Sequence, residues 1–170
     1  MKFIDLFFFY ISLLGLLLLY SYYFFAKQNK SNLSNLWGRI KTPLKTYYID
    51  SMILSAFGFL SLLGYLANLR SLKNNQDITH IIWALYAIVF LSIFWMPLSL
   101  SYLKQGRPDW LKYNIIGILA AIAFASLYAV VVIKKIPGKN LNKQLAFYGM
   151  VYFFCHTFFL DTLLWSSNFF

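Results

Sequence analysis

The chain has 170 residues, of which 61% are hydrophobic, 21% are aromatic and only 12% are charged. A soluble domain carries about 25% charged residues, so this chain has too few polar side chains to cover a surface that faces water. Fifteen Lys and Arg residues against five Asp residues give a net charge of +10. Almost all of these cations lie in short connectors between apolar runs, which is typical of helix ends at lipid headgroups and not of a nucleic-acid-binding surface.

Apolar runs of about 20 residues, the length that crosses a bilayer as a helix, recur five times along the chain. We therefore predict an all-α fold in which residues 1–170 form a single membrane domain, a polytopic helical bundle with five transmembrane helices. The lipid bilayer is therefore an expected partner of this domain. The predicted spans are residues 3–25, 50–69, 80–103, 113–133 and 145–165.

The first predicted span is rich in Leu and Phe and suits a position that faces lipid. The connector after it, residues 26–49, is the longest one and carries five cations. Apolar residues recur at helical spacing from Leu33 to Ile40 within it. The connector is therefore predicted to form either a short amphipathic helix on the membrane surface, ending near Pro43, or an irregular polar loop.

The second and third spans contain features that affect helix packing. Pro97 in the third span removes a backbone donor and is expected to kink the helix. The hydroxyls of Ser92, Ser99 and Ser101 are candidates to satisfy the carbonyl that this proline leaves free. Small residues on several sides of the second span favour close approach of neighbouring helices. They are Ser55, Ala56, Gly58, Ser61 and Gly64.

The fourth span carries small residues at a strict spacing of four, namely Gly117, Ala121, Ala125 and Ala129. This stripe predicts close helix–helix contact and a place in the middle of the bundle. Because the number of spans is odd, the two termini are expected on opposite sides of the membrane. One cation precedes the first span and five follow it, which predicts an N-terminus outside or in a lumen and a cytoplasmic C-terminus.

The fifth span carries two ionisable residues, His156 and Asp161. A charge at the bilayer centre costs roughly 2.5–3.5 kcal/mol on insertion scales, so Asp161 is expected to face a partner or a wet cavity. On a straight α-helix the two residues lie about 140° apart, which disfavours a contact between them without a bulge. Asp161 instead shares a face with Thr157, Phe158 and Trp165, and Thr157 is placed to bond to its carboxylate. Such a mixed aromatic and polar stripe is typical of a pocket for a flat apolar ligand.

Motifs that would indicate an enzyme are missing from the sequence. It contains no Cys-x-x-Cys or His-x-x-x-His pair, no Gly-rich phosphate loop and no Gly-x-Ser-x-Gly motif. We therefore expect no catalytic residues, no metal site and no bound cofactor.

Two stretches in the second and third spans resemble motifs of the translocator protein family, also called tryptophan-rich sensory proteins, which are five-span proteins of similar length. Residues 55–59, Ser-Ala-Phe-Gly-Phe, are similar to the family's small-small-x-Gly-aromatic stretch. Tyr86 followed by Ser92-x-x-Trp95-x-Pro97 is similar to its Tyr…Asn-x-x-Trp-x-Pro pattern, with Ser in place of Asn. The paired prolines that the family has in its first connector are missing here.

A third stretch, Leu160-Asp161-x-x-x-Trp165, is similar to the family's Leu-Asn-x-x-x-Trp, with Asp in place of Asn. The resemblance implies a bundle that binds a porphyrin- or sterol-like ligand in its core, as a homodimer. It also implies that Trp95 and Trp165 line the pocket, with Asp161 at its polar end.

Three functional hypotheses follow. The leading one is a membrane protein that binds or transports a small apolar or amphipathic ligand in a pocket between spans two, three and five. The alternatives are a structural or assembly subunit of a larger membrane complex, and an ion or proton pathway through Asp161 and His156. The candidate ligand-binding residues are Asp161, Trp165, Trp95, Ser92, Thr157, Phe158 and His156.

Overall fold

A computed structural model describes residues 3–69, 76–138 and 140–170 of the chain. All regular secondary structure in these ranges is helical. The long helices are α1 (Phe3–Gln28), α2 (Thr42–Asn68), α3 (Gln76–Lys104), α4 (Asp109–Lys135) and α5 (Leu141–Cys155). Helix α5 continues directly into a π-helical segment, His156–Trp165, and a final turn, α6 (Ser166–Phe169).

Five helical stretches of the described chain are long and apolar enough to cross a membrane, the last being α5 with its π-helical and α6 extensions. This confirms the predicted all-α bundle of five membrane helices, and the chain is an integral multi-pass membrane protein. Helices α2 to α5 begin four to eight residues earlier than predicted, because their first turns are polar but still helical. The connector between the second and third predicted spans, residues 70–79, falls mostly on residues 70–75, which lie outside the described ranges.

The helices pack in an order that differs from their order in the chain. Helix α3 packs between α1 and α4, and α5 packs between α4 and α2. The spatial order is therefore α1, α3, α4, α5, α2. This order brings residues from distant parts of the sequence to the same level of the bundle.

Helix α4 is the most buried of the five described spans, which confirms its predicted place in the middle of the bundle. The stripe predicted to make its close contacts is wrong, however, since Gly117 and Ala121 are exposed and only Ala129 is fully buried. The buried face of α4 carries large side chains, such as Ile115 and Leu119, and also the small residues Ala123, Ser126 and Ala129. The small residues that pack closely are thus spaced three apart, not four.

Helices α2 and α5 approach each other closely at two glycines, Gly58 and Gly149. A Cβ added at Gly149 would lie 2.7 Å from the Cα atom of Gly58, well inside van der Waals contact. The small residue at position 58 thus allows close packing, as predicted for the second span. Its partner Gly149 lies outside the predicted motifs.

The proline in α3 is accommodated by a neighbouring helix. Pro97 has no N–H to donate to the carbonyl of Ile93, and that carbonyl accepts a buried hydrogen bond from Ser21 Oγ of α1 at 3.2 Å. The prediction that a serine of α3 satisfies this carbonyl is therefore wrong. The adjacent Tyr22 hydroxyl donates to the carbonyl of Ser92 at 2.9 Å, so α1 is held to α3 at the proline.

The connector between α1 and α2 forms two short 3₁₀ turns, Lys30–Asn32 and Ser34–Trp37, in place of the predicted amphipathic helix. Pro43 lies in the first turn of α2, where a missing N–H costs nothing, so it begins a helix and does not end one. The apolar side chains of Leu36 and Ile40 are buried against the bundle and not laid on the membrane surface.

Candidate functional site

A cavity of about 480 Å³ lies inside the bundle. Its lining comes from all five long helices, the π-helical segment and the α1–α2 connector. Spans two, three and five, which were predicted to bound a pocket, all contribute to it. The spatial order of the helices places α1 and α4 around it as well.

Six of the seven predicted site residues line this cavity, namely Asp161, Trp165, Trp95, Ser92, Thr157 and His156. The seventh, Phe158, lies elsewhere. Its ring packs against Phe124 of α4 and stacks on Phe154, with centroids 6.2 and 5.6 Å apart. The prediction for Phe158 assumed α-helical geometry, in which residues 158 and 161 share a face.

The π-helical segment brings His156 and Asp161 together. Its bonds join residues five apart, so two residues at that spacing share a face. His156 Nε2 lies 3.6 Å from Asp161 Oδ1. The expected angle of about 140° between His156 and Asp161 is therefore wrong. A contact between them was expected to require a bulge, and the whole segment His156–Trp165 has that π-helical geometry.

Side chains reinforce the same five-residue spacing. Thr162 Oγ1 donates to the carbonyl of Thr157 at 2.9 Å, and Ser166 Oγ donates to the carbonyl of Asp161 at 3.2 Å. The hydroxyls thus bond to the backbone along the segment. π-Helical geometry is rare and is found frequently at functional sites.

The carboxylate of Asp161 accepts a hydrogen bond from the Tyr48 hydroxyl of α2. The expected donor, Thr157, lines the cavity but is not the partner of this carboxylate. On the other side of the imidazole, His156 Nδ1 lies 2.8 Å from Ser51 Oγ, which is 2.9 Å from the Tyr152 hydroxyl. A chain of five polar side chains therefore runs from the cavity into the contact between α2 and α5.

Tyr48 and Ser51 are residues that the sequence interpretation missed. Tyr48, Ser51 and Ser55 follow one another at spacings of three and four residues, so all three lie on one face of α2. This spacing in the sequence indicates a polar stripe on α2. It does not indicate that the stripe contacts Asp161.

Two indole rings form an aromatic wall of the cavity. The centroids of Trp95 and Trp165 are 5.4 Å apart, and Tyr22 lies 6.0 Å from Trp95. The Trp165 Nε1 donates to the carbonyl of Leu36 at 2.7 Å. The Trp95 Nε1 is buried and has no hydrogen-bond partner among the described residues.

The α1–α2 connector covers one end of the cavity. Leu33, Leu36 and Trp37 contribute to the lining. Arg39 donates its backbone N–H to the carbonyl of Asn168 at 3.0 Å, so the connector is bonded to the C-terminal turn. Gly38, at φ 54°, provides the left-handed turn that this contact requires.

The cavity reaches the outer surface of the bundle on the α2 side. Met52 is 45% exposed and Ala56 is also exposed, yet both residues line the cavity. Among the described residues, the lining contains one acid, Asp161, and neither Lys nor Arg. In the described part of the chain no three His, Cys or Asp side chains lie close enough to hold a metal ion.

Comparisons with known proteins add nothing to this geometry. No protein-family model, curated protein or solved structure matches the chain.

Proposed function

We propose that this membrane protein binds or transports a small apolar or amphipathic ligand in the cavity within its bundle. The observation that carries the proposal is a cavity of about 480 Å³ with aromatic walls and a single carboxylate, that of Asp161. Ligand pockets have volumes of about 300–1,000 Å³, and a few polar groups in an apolar lining fix the ligand's orientation. The resemblance to the translocator protein family supports a sterol- or tetrapyrrole-like ligand and a homodimer.

The exposed lining residues suggest how a ligand reaches the cavity. Met52 and Ala56 lie on the outer surface of a membrane-spanning helix, where the surroundings are lipid. A ligand that partitions into the bilayer would therefore enter from the side, without crossing the polar connectors.

Binding of 1-dodecanol tests the proposal with the simplest suitable probe, an apolar chain with one hydroxyl. Radiolabelled 1-dodecanol is equilibrated with the full-length protein in lipid nanodiscs, and the uptake by empty nanodiscs is subtracted. We expect saturable binding. The variant Leu119→Trp places an indole in the cavity lining and should remove most of that binding.

The matched control is Leu127→Trp, since Leu127 lies on the same helix but faces outward. This control should bind 1-dodecanol as the wild type does. Uptake that never exceeds that of empty nanodiscs, or that is unchanged in Leu119→Trp, contradicts the proposal.

A proton pathway is a second candidate, favoured by the chain of side chains from Asp161 through His156 to Ser51 and Tyr152. His156, Ser51 and Tyr152 are in hydrogen-bonding contact and can relay protons, while the step from Asp161 to His156 spans 3.6 Å. This candidate predicts proton flux in liposomes that is lost in both Asp161→Asn and His156→Ala. Flux that is indifferent to both substitutions rules it out.

A structural or assembly subunit is the third candidate, and the hydrogen bond from Tyr48 of α2 to Asp161 favours it. That bond joins two helices, as a purely structural acid would require. A cavity beside the same carboxylate favours ligand binding instead, because a structural role calls for close packing at that point.

A further inference from the structure

The ligand's polar group can be inferred from the charges around the cavity, and this step rests on the proposed function. Within the part of the chain that the structure describes, Asp161 is the one acid of the lining, and no Lys or Arg accompanies it. Its side chain is 23% exposed, so part of the carboxylate is open to the cavity. A carboxylate held in apolar surroundings requires hydrogen-bond donors or a cation.

The protein itself satisfies this requirement only in part. The Tyr48 hydroxyl and the His156 Nε2 both approach Oδ1 of Asp161, and no bond to Oδ2 is found among the described residues. A charge-assisted N–H···O bond measures about 2.7–2.9 Å. At 3.6 Å the imidazole does not make such a bond, so the carboxylate retains capacity for a donor from the ligand.

The aromatic rings around Asp161 favour a cation. The Tyr48 ring contacts Trp37 and His156 edge-on, at centroid distances of 5.5 Å and 5.4 Å respectively. The three rings therefore lie in a row beside Asp161. The Trp37 ring already holds the ammonium of Lys45, 4.6 Å from its centroid, so the rings left for a ligand include those of Tyr48, Trp95 and Trp165. Aromatic faces combined with a carboxylate are the chemistry that recognises organic ammonium groups.

An independent observation concerns Trp95. Its Nε1 donor is buried at the lining and has no partner among the described residues, although buried donors in folded proteins are almost always paired. The Nε1 atom itself is closed off from the cavity, so a turn of the indole toward the cavity would let an oxygen atom of a ligand supply the missing acceptor. The ligand therefore needs both a donor for Asp161 and an acceptor for Trp95.

We propose that the cavity selects an apolar amine that also carries a hydroxyl or carbonyl oxygen, with its ammonium at Asp161 and its oxygen at the Trp95 indole. This assignment disfavours anionic ligands, including the carboxylates of a tetrapyrrole, because the lining offers them no cation. It favours long-chain amino alcohols and related amphipathic amines.

Three probes with the same alkyl chain test the assignment at pH 7, in nanodiscs of zwitterionic phosphatidylcholine with empty nanodiscs subtracted. The probes are 1-dodecanol, dodecylamine and 2-amino-1-dodecanol. For the wild-type protein, dodecylamine should bind at least about tenfold more tightly than 1-dodecanol, since a desolvated ammonium among aromatic rings gains about that much. The amino alcohol should bind more tightly than dodecylamine.

Two variants separate the contributions. Asp161→Asn keeps the shape of the side chain but removes its charge, so it should lose the preference for dodecylamine over 1-dodecanol. Trp95→Phe keeps an aromatic ring without the donor, so it should lose the advantage of the amino alcohol over dodecylamine. Circular dichroism of each variant, compared with that of the wild type, reports whether the helical bundle is folded.

The outcomes distinguish this inference from the proposed function. Equal wild-type affinities for dodecylamine and 1-dodecanol, or an amine preference that persists in Asp161→Asn, overturn the inference and leave the cavity proposal standing. An amino-alcohol advantage that persists in Trp95→Phe overturns the role of the indole donor. If none of the three probes binds saturably above empty nanodiscs, both proposals are wrong.

Discussion

Asp161 depends on a hydroxyl from another helix. Tyr48 is buried on α2, more than one hundred residues away in the chain, and donates directly to the carboxylate. In a membrane-embedded cavity, few other hydrogen-bond donors are available to an acid. The bond therefore both positions the carboxylate and stabilises the contact between α2 and the π-helical segment.

Removing that hydroxyl is expected to destabilise the bundle. Tyr48→Phe leaves the carboxylate without its donor and should lower the free energy of unfolding by about 1–3 kcal/mol. Unfolding can be followed by circular dichroism in mixed micelles of increasing denaturing detergent. Tyr47→Phe is the matched control, since Tyr47 is 73% exposed, and it should leave the stability unchanged. Equal stabilities of the two variants would show that the Tyr48 bond contributes nothing.

The hydroxyl of Ser21 has a comparable role at the proline of α3. Because Pro97 cannot donate to the Ile93 carbonyl, Ser21→Ala leaves a buried carbonyl unpaired and should cost about 1–3 kcal/mol in the same unfolding measurement. Ser61→Ala is the control, since the Ser61 hydroxyl bonds to the carbonyl of Phe57 in its own helix. A loss of the same size in both variants would contradict this account of the proline.

Some residues of the site could be predicted from the sequence, and others could not. The sequence identifies Asp161 because an acid in an apolar run is conspicuous, and Trp95 and Trp165 because they belong to recognisable short motifs. Tyr48 could not be identified in this way. A tyrosine near a membrane interface is common, and only the packing of α2 against α5 reveals that it meets the acid.

At the scale of helices, the π-helical segment has the largest effect on the site. It turns His156 and Asp161 toward each other and turns Phe158 away. No proline or glycine lies within His156–Trp165 to signal a departure from α-helical geometry. One pattern is consistent with π-helical geometry, namely polar residues spaced five apart, Thr157 with Thr162 and Asp161 with Ser166. On an α-helix, residues at this spacing do not share a face, so the pattern would not predict a contact there.

The contact between α2 and α5 depends on the absence of side chains at two glycines. A Cβ at Gly58 would lie 2.7 Å from the carbonyl carbon of Gly149, and backbone atoms cannot move aside cheaply. Gly58→Ala should therefore destabilise the bundle by about 1–3 kcal/mol, the usual cost of overpacking. The readout is again the free energy of unfolding in detergent.

Gly64→Ala is the matched control on the same helix. A Cβ at Gly64 meets nothing within 4 Å, so this variant should be neutral or slightly stabilising because alanine favours helix. A Gly58→Ala protein as stable as the Gly64→Ala protein would contradict the close approach of α2 and α5.

For the whole molecule, the fold class could be predicted from the sequence. Five apolar runs of bilayer length leave a helical bundle as the only arrangement that satisfies the backbone polar groups in lipid. The cavity could not be predicted in the same way. It depends on the spatial order α1, α3, α4, α5, α2, which is set by contacts between helices far apart in the chain.

The orientation in the membrane stays a prediction. Cations are distributed nearly evenly over the two sets of connectors, so the expected outside or lumenal N-terminus depends on the weight given to the first span. The proposed entry of ligand beside Met52 and Ala56 does not depend on this orientation, because it occurs through the lipid-facing surface of α2.

Photolabelling tests most directly whether the cavity around Asp161 holds a ligand. A dodecanol with a diazirine at mid-chain is equilibrated with the full-length protein in nanodiscs and activated by light, and the adducts are mapped by mass spectrometry. The account predicts adducts on cavity residues such as Asp161, Trp95 and Trp165, and their loss in Leu119→Trp. Adducts found only on outward-facing residues such as Leu16 and Phe57 would contradict it.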